Sequence, residues 1–469
     1  MSASELGGPA LGQSLKPLNS DAGKIFDNES SIALDSTMFF RSLKLFAAGL
    51  LTTLLLACGS GEPAPAATGL TPNAGESSVT LTWDMVSGVE YWIFFTPTSS
   101  APASVSSMQS WFGLPGGNVL INVSSPYVVQ GLQNGVEYTF SINGRIGGGP
   151  GGPGATPVTA TPRIAGSSWS AAAAAGSSDL RSVAYGTVTS TTLVNSVTTV
   201  TGTTSNYVAV GTAGAMYSST DGSTWSAINY STSSRLNGAS FFGTYKVVGD
   251  GGLVLTSPDA VTWTTQTSGT TQNLYAIASN NLSLNVAVGA NGTILSSADG
   301  IIWTAATNSG TSADLYAVNY SSYNSGTWVA VGAGGTIVTS SDGLTWHSVS
   351  SSVTTDLRGI ANLASLSTAG VVTATFVAVG ATGTVLSSND AVLWAPVTVA
   401  GLSANLNAVV YGTQFVAVGS AGNILYSTDG LSWTAGTTAP ANTNDLLAVV
   451  HGLDGFYAVG AAGTNLSSK

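Results

Sequence analysis

Ser219-Thr220-Asp221-Gly222-Ser223-Thr224-Trp225 recurs in near copies across the C-terminal two thirds of the chain, and its spacing decides the fold. Asp and Trp keep a four-residue step in Asp221/Trp225, Asp259/Trp263, Asp299/Trp303, Asp342/Trp346, Asp390/Trp394 and Asp429/Trp433. Working outward, each copy is preceded by a Gly-x-x-Gly step, seven in all: Gly211/Gly214, Gly249/Gly252, Gly289/Gly292, Gly332/Gly335, Gly380/Gly383, Gly419/Gly422 and Gly460/Gly463. Two residues between glycines fit a tight hairpin, where glycine tolerates positive φ. Before each turn stands a Val-Ala-Val-Gly strand or a close variant, whose small and β-branched residues suit burial on both faces. Before that, a leucine opens every copy: Leu180, Leu236, Leu274, Leu315, Leu357, Leu406 and Leu446.

Four short strands per unit at a period of about 40 to 50 residues predict a β-propeller. Seven openings meet only six complete Asp/Trp marks, because the last copy stops at Leu466-Ser467-Ser468-Lys469. Trp169 supplies the missing piece. It stands 11 residues before Leu180, as Trp225 stands 11 before Leu236, so its strand is expected to complete the seventh blade and close the ring. Closure removes the edges an open array would expose. In each mark the carboxylate is expected to accept backbone N–H groups within the turn while the indole packs between neighbouring sheets.

The pattern over about residues 165–469 resembles the Asp-box (BNR) propellers, a group that includes sialidases, sortilin-type receptors and photosystem II assembly-factor-like proteins. Asp and Gly are adjacent in Asp221-Gly222, whereas the sialidase box separates them, and the Val-Ala-Val-Gly strands look closer to the assembly-factor-like branch. The resemblance speaks to fold more than to role.

Composition sets the class. With 43% hydrophobic residues, 7% charged and 58 glycines, the 469-residue chain reads as a turn-rich β protein of more than one domain. Eleven basic residues against 22 acidic give a net charge of -11, which excludes nucleic acid as a partner on electrostatic grounds. The single cysteine, Cys58, follows basic Arg41 and Lys44 and the apolar run from Leu45 to Ala57. That run is shorter than the roughly 20 residues of a spanning helix. Leu55-Leu56-Ala57-Cys58 resembles the lipobox of bacterial lipoproteins, which implies a signal peptide over 38–57, lipidation of Cys58 and a tether over 58–67. The expected place is the cell envelope, with the outer membrane favoured because no Asp follows Cys58. Residues 1–37 are read as a non-structural extension.

Between tether and propeller, Val79 to Trp83, Tyr91-Trp92-Ile93, Tyr127 to Leu132 and Val136 to Phe140 alternate apolar and polar residues, as half-buried strands do. Trp83, Tyr91, and Gly131-Leu132 with Tyr138 resemble the core Trp, third-strand aromatic and tyrosine corner of fibronectin type III domains. The expected fold is therefore all-β, a fibronectin type III-like sandwich over 68–163 followed by a seven-bladed propeller over 164–469.

Sialidase chemistry would need an arginine triad and a Tyr/Glu pair, yet the last glutamate is Glu137 and the propeller holds only Arg181, Arg235 and Arg358, with Arg163 at its border. The six repeat aspartates occupy equivalent turns in separate blades, so they are read as structural, with calcium the alternative considered. His347 and His451 have no ligand-like neighbours at metal spacing. No catalytic residue and no cofactor are assigned. The residues after the opening leucines, Arg181, Asn237, Tyr275, Tyr316, Arg358 and Asn407, are expected to ring one channel mouth, where they suit a carboxylate, sugar or peptide end. Long connections at Thr187–Ser205 and Ala361–Thr375 form a second candidate face, as loops. The favoured reading is a lipid-anchored, non-enzymatic scaffold for a protein or peptide; the alternative is a glycan-binding or glycan-cleaving protein.

Overall fold

A computed structural model describes residues 63–101, 111, 114, 116–194, 197–280, 284–322, 326–366, 372–452 and 454–468. Cys58 and the expected signal peptide and extension lie outside the described residues. Within them the chain is all-β, its only helical pieces being single turns, and no helix is long and apolar enough to cross a membrane.

Two sheets make up the N-terminal part. One joins Thr71–Gly75, Ser78–Thr82 and Tyr127–Gln130; the other orders Asn118–Val123, Val89–Pro97, Tyr138–Ile146 and Val158–Ala160 side by side. Alternation explains their packing: Tyr91, Ile93 and Phe95 from one sheet meet Val79, Leu81 and Val129 from the other in a shared core with Phe140 and Ile142. Trp83 lies 5.7 Å from Tyr91, ring centre to ring centre, and the Gln133 amide donates to Tyr138 Oη at 3.1 Å. Phe94 points the other way and is buried beneath Trp111.

From Leu180 onward the chain is a β-propeller. Six four-stranded sheets follow one another as simple meanders, the first made of Leu180–Val194, Val197–Gly211, Met216–Ser219 and Ser226–Ala227. Inner strands neighbour one another in order, and the last, Leu446–His451, returns to touch Leu180–Val194, so the cycle closes. The second strands lie between neighbouring sheets, which is why Ala209, Ala287, Ala330, Ala378, Ala417 and Ala458 have no exposed surface.

The closing sheet is assembled from the first and last strands of the propeller. Leu446–His451, Phe456–Gly460 and Asn465–Ser468 are completed by Ser168–Ala171, with Leu466 opposite Ala171 and Ser467 opposite Ser170. A fifth strand, Thr437–Ala439, adds on the outside, parallel to Ser168–Ala171.

Two expectations need correction. The Gly-x-x-Gly steps are three-residue loops rather than two-residue hairpins: Gly211 N–H donates to Ala215 O at 2.9 Å, and Ala215 N–H to Thr212 O at 3.1 Å. Only the second glycine needs positive φ (Gly214, +69°). The first, Gly211, is extended at φ -166° and is glycine because a Cβ there would stand 1.9 Å from the Asp179 carbonyl oxygen. The long connections, in turn, continue as paired strands: Leu180–Val194 runs against Val197–Gly211, and Leu357–Leu366 against Val372–Gly380. Their Thr- and Val-rich sequence favours extended pairing, which outweighs the turn-forming tendency of their serine and glycine.

The register also sorts the faces. Leu180 opposes Gly211 at one end of the first sheet, so opening leucines and Gly-x-x-Gly turns share a face. Tyr207, towards the other end of that strand, opposes Ser219 just before the Asp221 turn. Hairpin tips and Asp/Trp turns therefore share the opposite face.

Candidate functional site

The residue after each opening leucine sits in a β-bulge. Pairing skips from Leu274 to Ala276, from Leu315 to Ala317, from Leu357 to Gly359 and likewise at the other openings. A bulge frees one residue from the ladder and re-aims its side chain. Seven bulges at equivalent places thus turn Arg181, Asn237, Tyr275, Tyr316, Arg358, Asn407 and Leu447 out of their sheets at the same end of the ring.

Their contacts run from sheet to sheet. Arg358 Nη1 donates to Asn407 Oδ1 at 3.0 Å, and Asn407 Nδ2 to the Leu446 carbonyl at 2.9 Å. Asn237 Nδ2 donates to Asp250 Oδ1 at 2.9 Å and to the Leu274 carbonyl at 3.0 Å. Tyr275 and Tyr316 face each other with ring centres 5.7 Å apart. Burial raises the Tyr316 hydroxyl's pKa, Asp356, Asp314 and Tyr275 add to that, and Arg358 opposes it. The two asparagines are spent holding the next sheet's opening carbonyl, and Asn237 is buried. Arg181, Tyr275, Tyr316 and Arg358 remain at least partly open to solvent.

Arg181 differs from the others. Its pKa is lowered by desolvation first and by Arg235 second, against the pull of Asp179, Asp250 and Tyr275. Arg235 has an ion partner, Nε lying 3.8 Å from Asp250 Oδ2. All three propeller arginines therefore belong to one face, two of them close enough to repel, and Asp179 and Asp250 stand beside that pair.

A second ring stands one residue earlier. Asp179, Asn273, Asp314, Asp356, Asn405 and Asp445 each stand directly before an opening leucine. Each accepts, through Oδ1, the backbone N–H in the middle of the preceding sheet's turn: Ala462, Gly251, Asn291, Gly334, Thr382 and Ala421, at 2.8–3.0 Å. The same residue's carbonyl accepts from its own sheet's turn, as Asp314 O does from Ala333 N–H at 2.9 Å. Arg235 breaks the series and turns to Asp250 instead. The signal was in the sequence, an Asp or Asn before six of seven leucines.

The Asp/Trp marks lie at the far face. Asp221 Oδ1 accepts Ser223 and Thr224 N–H at 2.8 and 2.7 Å and the Ser219 hydroxyl at 2.9 Å. Desolvation pushes its pKa up, but these bonds outweigh it and hold the carboxyl down at about 2. Asp259, Asp299, Asp342, Asp390 and Asp429 make the same bonds and are likewise lowered. Trp263, Trp303, Trp346, Trp394 and Trp433 donate Nε1–H to the carbonyl three residues back, at 3.1–3.3 Å. Trp225 is placed alike, yet its buried Nε1 has no acceptor among the described residues. Trp169 donates to Gly166 at 2.8 Å.

His347 is exposed on an outer strand. His451 lies edge-on to Phe456 at 4.8 Å, and burial lowers its pKa. Among the described residues no group of three or more His, Cys, Asp or Glu is placed to hold a metal.

No family model matches the chain, and no curated protein matches it. Among solved structures it is similar to YCF48 bound to D1 peptide, at 17% identity and a TM-score of 0.48 over 64% of this chain and 94% of that one. It is also similar to YCF48 from Cyanidioschyzon merolae, at 15% identity and a TM-score of 0.48 over 65% and 99% of the two chains. The WD40 β-propeller domain of Doa1 follows at 12% identity and 0.47, over 63% and 94%.

Proposed function

We propose that this chain is a non-enzymatic binding scaffold of the cell envelope: a lipid anchor at Cys58, a fibronectin type III-like spacer over 68–163, and a seven-bladed propeller over 164–469 whose channel mouth takes the carboxylate end of a peptide. The observation that carries the reading is the gathering of Arg181, Arg235 and Arg358 on one face, where Arg235 is paired with Asp250 and Arg181 stands near Arg235, Asp179 and Asp250. Arginine suits a carboxylate because its planar fork donates two parallel bonds, and Tyr275 and Tyr316 offer flat apolar faces to the adjoining residues. The spacer reading is supported by the three-plus-four strand order and by the bond to the Tyr138 hydroxyl.

A fluorescent peptide library with free or amidated C-termini tests the mouth. Free carboxylates are expected to bind at least tenfold tighter than amides, and Arg181→Ala/Arg358→Ala to erase the difference. Equal binding of the two termini sinks the site. Mass spectrometry for an acylated Cys58 tests the anchor separately.

The Tyr275/Tyr316 pair favours one second reading, a glycan-binding mouth in which the rings stack on sugar faces. Screening against polysaccharides for binding and for reducing-end release decides it, and Tyr275→Ala/Tyr316→Ala is then expected to lose the bound polysaccharide.

A further inference from the structure

The two residues that follow the Asp-Gly or Asp-Ala step carry an unspent signal. In the first sheet they are Ser223-Thr224, and before Trp169 they are Ser167-Ser168, polar as a solvent-facing turn should be. In the five sheets between, the same positions carry Val261, Ile301 with Ile302, Leu344, Val392 with Leu393, and Leu431. All are exposed, Val261, Ile302 and Leu393 by 72–76%. From residue 164 onward the other large apolar side chains exposed among the described residues are Ile164 and Phe242. Nothing local demands the apolar choice, since the Asp221 turn makes the same bonds with Ser and Thr. Exposed aliphatics confined to one element of five successive sheets mark a surface that meets something.

Charge identifies the occupant. Each turn also holds its aspartate, and backbone N–H groups keep those carboxylates ionised by occupying Oδ1. Around the arc, apolar side chains therefore alternate with fixed negative charge. A second copy of this chain would bring carboxylates against carboxylates in a molecule of net charge -11, and an anionic lipid surface would be repelled in the same way. We infer that the arc formed by the Asp/Trp turns of sheets two to six docks a polypeptide that carries Lys or Arg beside aliphatic side chains, on the face opposite the channel mouth.

Fluorescence anisotropy with a labelled peptide of alternating Leu and Lys, at low ionic strength, tests this. The wild-type protein is compared with Ile301→Ser/Ile302→Thr/Val392→Ser/Leu393→Thr, which copies the Ser223-Thr224 turn, keeps every charge and should melt as the wild type does. Binding is expected to weaken at least tenfold in that variant, to fall with salt, to be absent for a Leu/Glu peptide, and to survive Arg181→Ala/Arg358→Ala. Equal binding by variant and wild type, or no binding by wild type, overturns the inference. So does a wild-type protein that instead dimerises or binds phosphatidylglycerol vesicles through a surface the variant loses.

Discussion

Alanine occupies the left-handed position of the Gly-x-x-Gly loop in Ala213, Ala421 and Ala462, with φ of 51–55°. Gly251 and Gly334 fill the same place in two other sheets, and a Cβ at either would meet nothing within 4 Å. The cost of alanine here is therefore backbone strain alone, about 1–2 kcal/mol per residue, offset by roughly 0.5–1 kcal/mol of chain entropy that glycine gives up on folding. Ala213→Gly, Ala421→Gly and Ala462→Gly together are expected to raise stability by about 1.5–3 kcal/mol in denaturant titration; a lower midpoint would show that the strain is absent. The first glycine of the loop obeys the opposite logic. A Cβ on Gly332 would stand 1.9 Å from the Asp314 carbonyl, which is held by the Ala333 N–H while Asp314 Oδ1 is held by the preceding sheet's turn, so Gly332→Ala should cost about 2–3 kcal/mol. Sequence displays both glycines identically. What separates them is φ, positive only at the second, since a Cβ on Gly335 would likewise meet a backbone carbonyl, that of Val353 at 2.1 Å, and both approaches are set by tertiary packing.

At the scale of the element, the Asp/Trp turn is a unit of three parts: a serine closing the third strand, the Asp-Gly step, and the indole. In the closing sheet the unit is split between the start and the end of the propeller. Ser468 Oγ accepts Gly166 N–H at 2.7 Å, as Ser219 Oγ accepts Gly222 N–H at 2.8 Å within one turn. Ala165 takes the aspartate's place, and Trp169 is buried against Val416, Leu446 and Phe456. Trp169→Ala is expected to cost about 3–5 kcal/mol, and Ser468→Ala about 1 kcal/mol. Hydrogen exchange should show the loss first in Ser168–Ala171 and Asn465–Ser468; uniform loss across all sheets would mean that the closing sheet is not a separate weak point. Counting leucines against tryptophans made Trp169 legible from sequence. The ring of Asp and Asn before the leucines is equally visible as a pattern but not as a contact, because an acidic residue before a strand reads as a solvated loop until the neighbouring turn is seen to donate to it. The bulges at Arg181 and its counterparts leave no mark in composition, since what makes them is a mismatch between two strands.

For the whole molecule, two sets of carboxyl groups respond to acid in opposite senses. The six turn aspartates have folded pKa values below the ordinary 3.8, Asp221 at about 2. Their contribution is fully present above 3.8 and is lost as pH falls towards 2. Glu76, where the sandwich meets the propeller, is raised above 4.5 by burial, against the lowering effect of the Thr413 hydroxyl that donates to Oε2 at 2.5 Å. A raised carboxyl binds its proton more tightly in the docked state, so this contact is strongest below 4.5 and weakens as pH rises through the higher value. The propeller should thus lose stability in acid while its contact with the sandwich tightens. Hydrogen exchange of the Tyr411–Phe415 segment, compared between wild type and Glu76→Gln at each pH, separates the two effects. Wild type is expected to match the variant below about pH 4 and to be less protected near neutrality, where the variant keeps an uncharged partner for Thr413. Identical protection across the range would show that Glu76 does not govern this contact.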